Sequence, residues 1–184
     1  MQYVEFTQRQ DAETLLSCMV HALEFFGGVT QTVLTDNMKT VVLDRVDGQP
    51  RFHPKLLDFA SYYGFVPRVC HPYRPQTKGK IESTIRYIKS SFWPGIQFDS
   101  LPELNRQALV WCGEANHRVH ATTREIPLVR FPHEGLTLLN AERPAGLRHQ
   151  LCKPSPGGQG LLGGLSRQPL FGAARACGQK RRGP

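Results

Sequence analysis

The sequence predicts an α/β fold, and three observations predict it. Along the first ninety residues, strand-like and helix-like stretches alternate in the order strand, helix, strand, helix, strand, helix. The strand-like stretches are short, β-branched and bounded by turn residues, as in Thr32-Val33-Leu34-Thr35 before Asp36-Asn37. The helix-like stretches carry apolar residues at steps of three and four and stop at glycine. A chain of 184 residues is enough for one domain with a true core.

Taken in order, Tyr3 and Glu5 alternate with Val4 and Phe6, which predicts a half-buried strand over residues 2–6. Thr7-x-x-Gln10 can form a capping box for a helix running to about Phe26, with Leu15, Cys18, Met19 and Ala22 inward. Gly27-Gly28 stops it. A strand then runs through Asp36. Residues 41–49 read as irregular, with Asp47-Gly48 a turn. Pro54 opens a helix whose stripe is Leu56, Phe59, Ala60 and Tyr63, and Gly64 ends it. Phe65 to Cys70 reads as a strand, and Pro67 marks it as an edge or a late start. Ile81, Ile85, Ile88 and Phe92 make the stripe of the next helix, which Trp93-Pro94-Gly95 breaks. Ser100-Leu101-Pro102-Glu103 is a second capping box, and Leu104, Ala108, Trp111 and Ala115 form the buried face behind it. A short helix near Pro127 to Leu139 follows.

The formal net charge of +8 misleads. Residues 143–184 hold eight Lys and Arg and no acid, which accounts for the whole excess; residues 1–142 are neutral. That tail is rich in glycine and proline and has one aromatic, Phe171, too little apolar surface to offset its ordering entropy. Disorder is expected there. The abrupt loss of acids and periodicity near residues 143–153 is what a reading-frame shift would produce.

The chemistry-bearing stretch is His71 to Phe92, HPYRPQTKGKIESTIRYIKSSF. Glu82 is its single carboxylate, set among Arg74, Lys78, Lys80, Arg86 and Lys89. Glu82, Arg86 and Lys89 share a helix face at steps of four and three. A solvated ion pair would explain that face. A second acid lies upstream: Asp36, at the carboxyl end of a predicted strand, where open α/β sheets keep their ligands. Opening a turn would explain Asp36 equally well.

Together these residues resemble the integrase-type catalytic core of insertion-sequence transposases of the IstA kind. The matching runs are FFGGVTQTVLTDNMKTVV (25–42), FASYYGF (59–65), KGKIESTIRYIKSSF (78–92) and NHRVHATTREIP (116–127), and the likeness extends over roughly residues 1–142. The resemblance implies a ribonuclease-H-like fold with an Asp-Asp-Glu triad, in which Asp36 matches the second acid and Glu82 the third. It implies Mg²⁺ or Mn²⁺ as cofactor, since phosphoryl transfer of this type uses two cations about 4 Å apart held by carboxylates. The family's first acid lies upstream of a segment like QYVEFTQRQDAETL, so the expectation is an incomplete fold, truncated at its amino end, in which neither Glu5 nor Asp11 supplies the missing ligand. The expected layout is a partial catalytic core over 1–98, a helical extension of the core over 99–142, and the basic tail over 143–184. An exposed apolar sheet edge is expected where the first strands are absent.

The resemblance further implies DNA as partner (transposon ends and target), a homo-oligomer, an ATPase helper protein, and a cytoplasmic, nucleoid-associated location. Arg74, Lys78, Lys80, Arg86 and Lys89 are the candidate phosphate contacts, with a solubilising face as the alternative. Residues 116–123 could contact DNA or cap helices. Two other outcomes stay open: a nuclease of the same fold, and a non-catalytic DNA-binding remnant. No apolar run approaches the roughly 18 residues of a membrane span, and with Glu5, Arg9 and Asp11 so early a secretory signal is not expected. Five scattered cysteines without a C-x-x-C pair suit reduced thiols in a cytosolic protein. Cys112, His117 and His120 lack the second cysteine that a zinc site would need nearby.

Overall fold

The computed structural model describes residues 1–70, 75–134 and 137–138, with side chains omitted for 75–81 and from 134 onward. Within these bounds the chain is a mixed α/β assembly of five helices and three two-stranded sheets. The expected tail at 143–184 lies outside the described residues.

The segment predicted as a strand over 2–6 pairs with no strand among the described residues. Its backbone is held by side chains instead. The Gln2 N–H donates to Asn116 Oδ1 at 2.8 Å, and Asn116 Nδ2 donates to the Gln2 carbonyl at 2.9 Å. Asn105 does the same to Phe6, at 2.7 and 3.0 Å. Between them, buried Val4 and Cys112 belong to one hydrophobic cluster. Asn105, Cys112 and Asn116 lie seven and four residues apart on one helix, so they align along one face. That face does the work of a neighbouring strand.

Helix α1 spans Ala12–Phe26. Its cap is Asp11, which accepts from the Thr14 N–H, and not the Thr7 and Gln10 pair. The Thr7 hydroxyl donates to the Arg9 carbonyl. Gly27 closes α1 in the left-handed region, as its position predicts. Strand β1 (Gly28–Val29) pairs antiparallel with β6 (Thr137–Leu138). Strand β2 (Thr32–Thr35) pairs in parallel with β5 (Val66–Val69). Residues 41–49 are not irregular. They belong to a hairpin of β3 (Val42–Val46) and β4 (Gln49–Phe52), turning on Asp47 and Gly48 at φ 50° and 77°. Two consecutive positive φ values are what a two-residue hairpin turn demands, and Asp-Gly supplies them. Helix α2 (Pro54–Tyr63) starts on Pro54 and ends on left-handed Gly64, as predicted.

Pro67 sits inside β5 without breaking it. The Val66 and Cys70 N–H groups donate toward the β2 side, to Gln31 and Thr35. Alternation turns position 67 the other way, where a missing N–H costs nothing. Helix α3 spans Pro75–Ser91, six residues earlier than the apolar stripe suggests. Helix α4 (Leu101–His117) is capped by Ser100, which accepts from the Glu103 N–H at 3.4 Å. A short α5 (Pro127–Arg130) and a 3-10 turn (Phe131–Glu134) follow.

Two hydrophobic clusters carry the elements. The first joins α1, α2 and the strand region through Leu16, Val20, Val41, Leu56 and Phe59, with Val33 of β2 and Val69 of β5 packed against it. The second joins α3 to α4 and the amino-terminal segment through Val4, Phe6, Ile88, Phe92, Leu104 and Trp111. Each fully buried large side chain contributes about 1.5–3 kcal/mol. Tyr3, Phe26 and Phe131 form a smaller cluster against Phe25, which also packs on the second. Among the described residues no helix is long and apolar enough to cross a membrane.

Candidate functional site

Asp36 follows β2 directly and is exposed. One of its oxygens, Oδ1, accepts the N–H of Asn37 at 2.8 Å. Asn37 ties the strand ends together: its Nδ2 donates to the Cys70 carbonyl at 2.8 Å, just past β5. Its Oδ1 accepts from Arg45 Nη2 at 2.9 Å, while Arg45 Nη1 donates to the Gly48 carbonyl at 3.1 Å. The Thr35 hydroxyl adds a bond to the Arg68 carbonyl at 3.2 Å. So the carboxyl ends of both parallel strands and the hairpin are welded around Asp36. Burial pushes the Cys70 thiol up, and the Asp36 carboxylate adds to that. Sequence reasoning named Asn37 only as a strand-end residue and missed Arg45. The Asp-Gly turn signal could have placed Arg45 on a hairpin beside the strand end.

Glu82 is exposed on α3. The burial of Thr84, Ile88 and Phe92, one helical turn apart each, fixes the rotation of that helix. Arg86 and Lys89 then face solvent, as expected. Lys78 and Lys80 belong to the same helix, so Lys78 lies one turn before Glu82. Their side chains, and all of Arg74, fall outside the described residues. The two candidate acids thus stand on separate supports: Asp36 on the first hydrophobic cluster, through β2, and Glu82 on the second, through α3.

Two other acids are committed elsewhere. Glu5 meets His21 Nδ1 at 3.0 and 3.1 Å and accepts from the Tyr3 hydroxyl at 2.8 Å. Burial, then Glu5, push the Tyr3 phenol up. Asp11 caps α1, and the Thr14 N–H holds its carboxyl below the usual range. Among the described residues no group of three or more His, Cys, Asp or Glu could hold a metal ion. Carboxylates are the right donors for Mg²⁺ or Mn²⁺, but the described residues do not assemble a complete set. Cys112 is spent inside the core, where burial pushes its thiol up to about 11.

No protein-family model matches the chain. It is 45% identical over 137 residues to a putative transposase for the insertion sequence element IS5376 of Geobacillus stearothermophilus, covering 74% of this chain and 34% of that protein. It is 38% identical over 128 residues to the transposase for IS21 of Pseudomonas aeruginosa, covering 68% and 33%. With the transposase for IS640 of Shigella sonnei it shares 37% identity over 121 residues, covering 65% and 38%. The chain therefore spans little more than a third of the length of these relatives. Over most of its own length, this protein is homologous to a stretch of insertion-sequence transposases.

Proposed function

We propose that this stretch is part of an integrase-type catalytic core, of ribonuclease-H-like fold and IstA kind, acting in DNA transposition and integration by metal-dependent phosphoryl transfer. Asp36 and Glu82 are its second and third catalytic acids and would ligate Mg²⁺ or Mn²⁺. Those ions, when held, would activate the attacking hydroxyl and steady the leaving oxygen. The observation that carries the reading is the Asp36 junction. A parallel strand pair ends on a carboxylate that accepts the Asn37 N–H, beside an Asn37 side chain bonded to Arg45 and the Cys70 carbonyl, at the strand ends where α/β proteins keep ligands. The following helix then offers Glu82 beside exposed Arg86 and Lys89.

The described residues do not complete a metal site, so no catalytic step is assigned to them alone. A non-catalytic DNA-binding role for this polypeptide is the second reading. DNA ends and target, a homo-oligomer, an ATPase helper and a cytoplasmic, nucleoid-associated location belong to the first reading. Arg86 and Lys89, with Arg74, Lys78 and Lys80, would neutralise phosphates.

The test has two arms. This chain is incubated with linear DNA and Mg²⁺; binding without cleavage or joining is expected. Asp36→Asn and Glu82→Gln are placed at the aligned positions of an intact homologue; loss of cleavage by a factor of about 10² or more is expected, since each removes a metal ligand. Full activity of either variant removes the assigned roles.

A further inference from the structure

The loop that closes α4, from His117 to Arg124, has no part in the acid site. Every side chain from His117 to Glu125 is exposed, yet its backbone is tightly tied. The Arg124 N–H donates to the His120 carbonyl at 2.7 Å, and the His120 N–H to the Glu125 carbonyl at 2.9 Å. The Thr122 N–H donates to His120 Nδ1 at 3.3 Å. Arg124 holds a left-handed φ of 54°, a conformation that costs a non-glycine residue energy. An ordered loop with no buried side chain and a strained arginine is not explained by packing.

Its charge is one-sided. Arg118 and Arg124 stand in an eight-residue run, 117–124, that includes no acid; His117 in it turns its Nδ1 to the Gly113 carbonyl at 2.7 Å. Glu125 beyond them is engaged by Arg130 at 3.1 Å, and Glu114 before them meets Arg118 only at 3.6 Å with both side chains largely exposed. Among the described residues Arg124 makes no ion pair. A base in the last turn offsets the negative end of a helix, which accounts for His117 or Arg118. It accounts for neither Arg124 nor the strain there.

We infer that the loop His117–Arg124 is a contact surface for the phosphate backbone of duplex DNA, separate from the basic face of α3. This rests on DNA being the partner. Side chains of Arg and His, with exposed backbone and Thr122 and Thr123 hydroxyls, are the groups that bind phosphate oxygens without reading sequence. A backbone already tied by its own hydrogen bonds lets them do so at small ordering cost.

The test uses the full chain, a fluorescent duplex of arbitrary sequence, and EDTA, so that no metal chemistry intervenes. Affinity is followed by anisotropy over a range of salt. Arg118→Ala combined with Arg124→Ala is expected to weaken binding about tenfold and to flatten the slope of log K against log[salt] by roughly one to two. Arg51→Ala combined with Arg106→Ala removes the same charge elsewhere and is expected to leave the slope within experimental error. Arg124→Gly keeps the left-handed backbone without the cation; it should fold at least as well and still lose about one unit of slope. Arg124→Lys should keep it. An unchanged slope in the loop variants, or an equal loss in the control pair, overturns the loop. If the unaltered chain fails to bind duplex DNA, the proposed function falls with it.

Discussion

Asn105 grips the backbone of Phe6 with both ends of its amide, accepting the Phe6 N–H at 2.7 Å and donating to its carbonyl at 3.0 Å. Asn116 repeats the grip on Gln2, eleven residues and three helical turns away. A helix has no free backbone groups to offer a strand, so these two side chains stand in for one. They fix the amino-terminal segment to α4 and thereby complete the cluster on which α3 rests.

Asn105→Ala is expected to destabilise the fold by about 1–3 kcal/mol, because it leaves a backbone N–H and carbonyl unpaired in a part-buried place. Asn105→Asp, which can accept but not donate when ionised, should fall in between. Urea titration measures both; a loss below about 0.5 kcal/mol for the alanine variant would show that water replaces the amide freely.

Cys112 should be silent to alkylation in the native state. Its thiol is fully buried and pushed up to about 11, first by burial, so little thiolate is present at pH 8. Mass spectrometry after iodoacetamide treatment should find Cys112 unmodified until denaturant is added. Labelling of Cys112 at a rate similar to that of partly buried Cys18 would mean that α4 detaches readily.

Gly48→Ala should weaken the hairpin. The φ of 77° at that position costs an L-residue about 1–2 kcal/mol, although open space surrounds the site. Faster amide exchange confined to residues 42–52 is the expected signature. Since Arg45 bonds both Gly48 and Asn37, exchange at the Cys70 end of β5 should rise as well.

Stability should fall on the acid side. The Thr14 N–H holds Asp11 low, and Arg106 with Gln107 hold Glu103 down to about 2. Both are carboxyls with folded values below their unfolded ones, so their contribution is present above the unfolded range and disappears as pH falls through the folded values. Both sites are exposed, so the effect is small. Asp11→Ala should cost about 1 kcal/mol at neutral pH as a lost helix cap and flatten the decline below the ordinary aspartate range. An identical acid limb in the variant would place the sensitivity elsewhere.

Punctuation in the sequence determined the extents of α1, α2, α4, β2 and β5, because glycine and proline act locally: Gly27, Gly64 and Pro54 do their work wherever the chain goes next. The inward face of α1 was not determined: Leu15, Cys18 and Met19 are only partly buried, and Leu16, Val20 and Leu23 point into the core. The candidate acids were legible for the same reason, as a carboxylate after a strand and a lone carboxylate on a basic helix. The hairpin was present in Asp47-Gly48 but hidden by its polar, weakly alternating strands. Tertiary structure decided the rest. Residues 2–6 carry a strand pattern, yet whether such a segment becomes a strand depends on a neighbour, and its neighbour is the helix face of Asn105, Cys112 and Asn116. The weld of Asn37 to Cys70 and Arg45 likewise joins residues that no local spacing brings together. Local backbone preferences travel with the sequence, whereas hydrogen-bond partners across the chain exist only once its two hydrophobic clusters have packed.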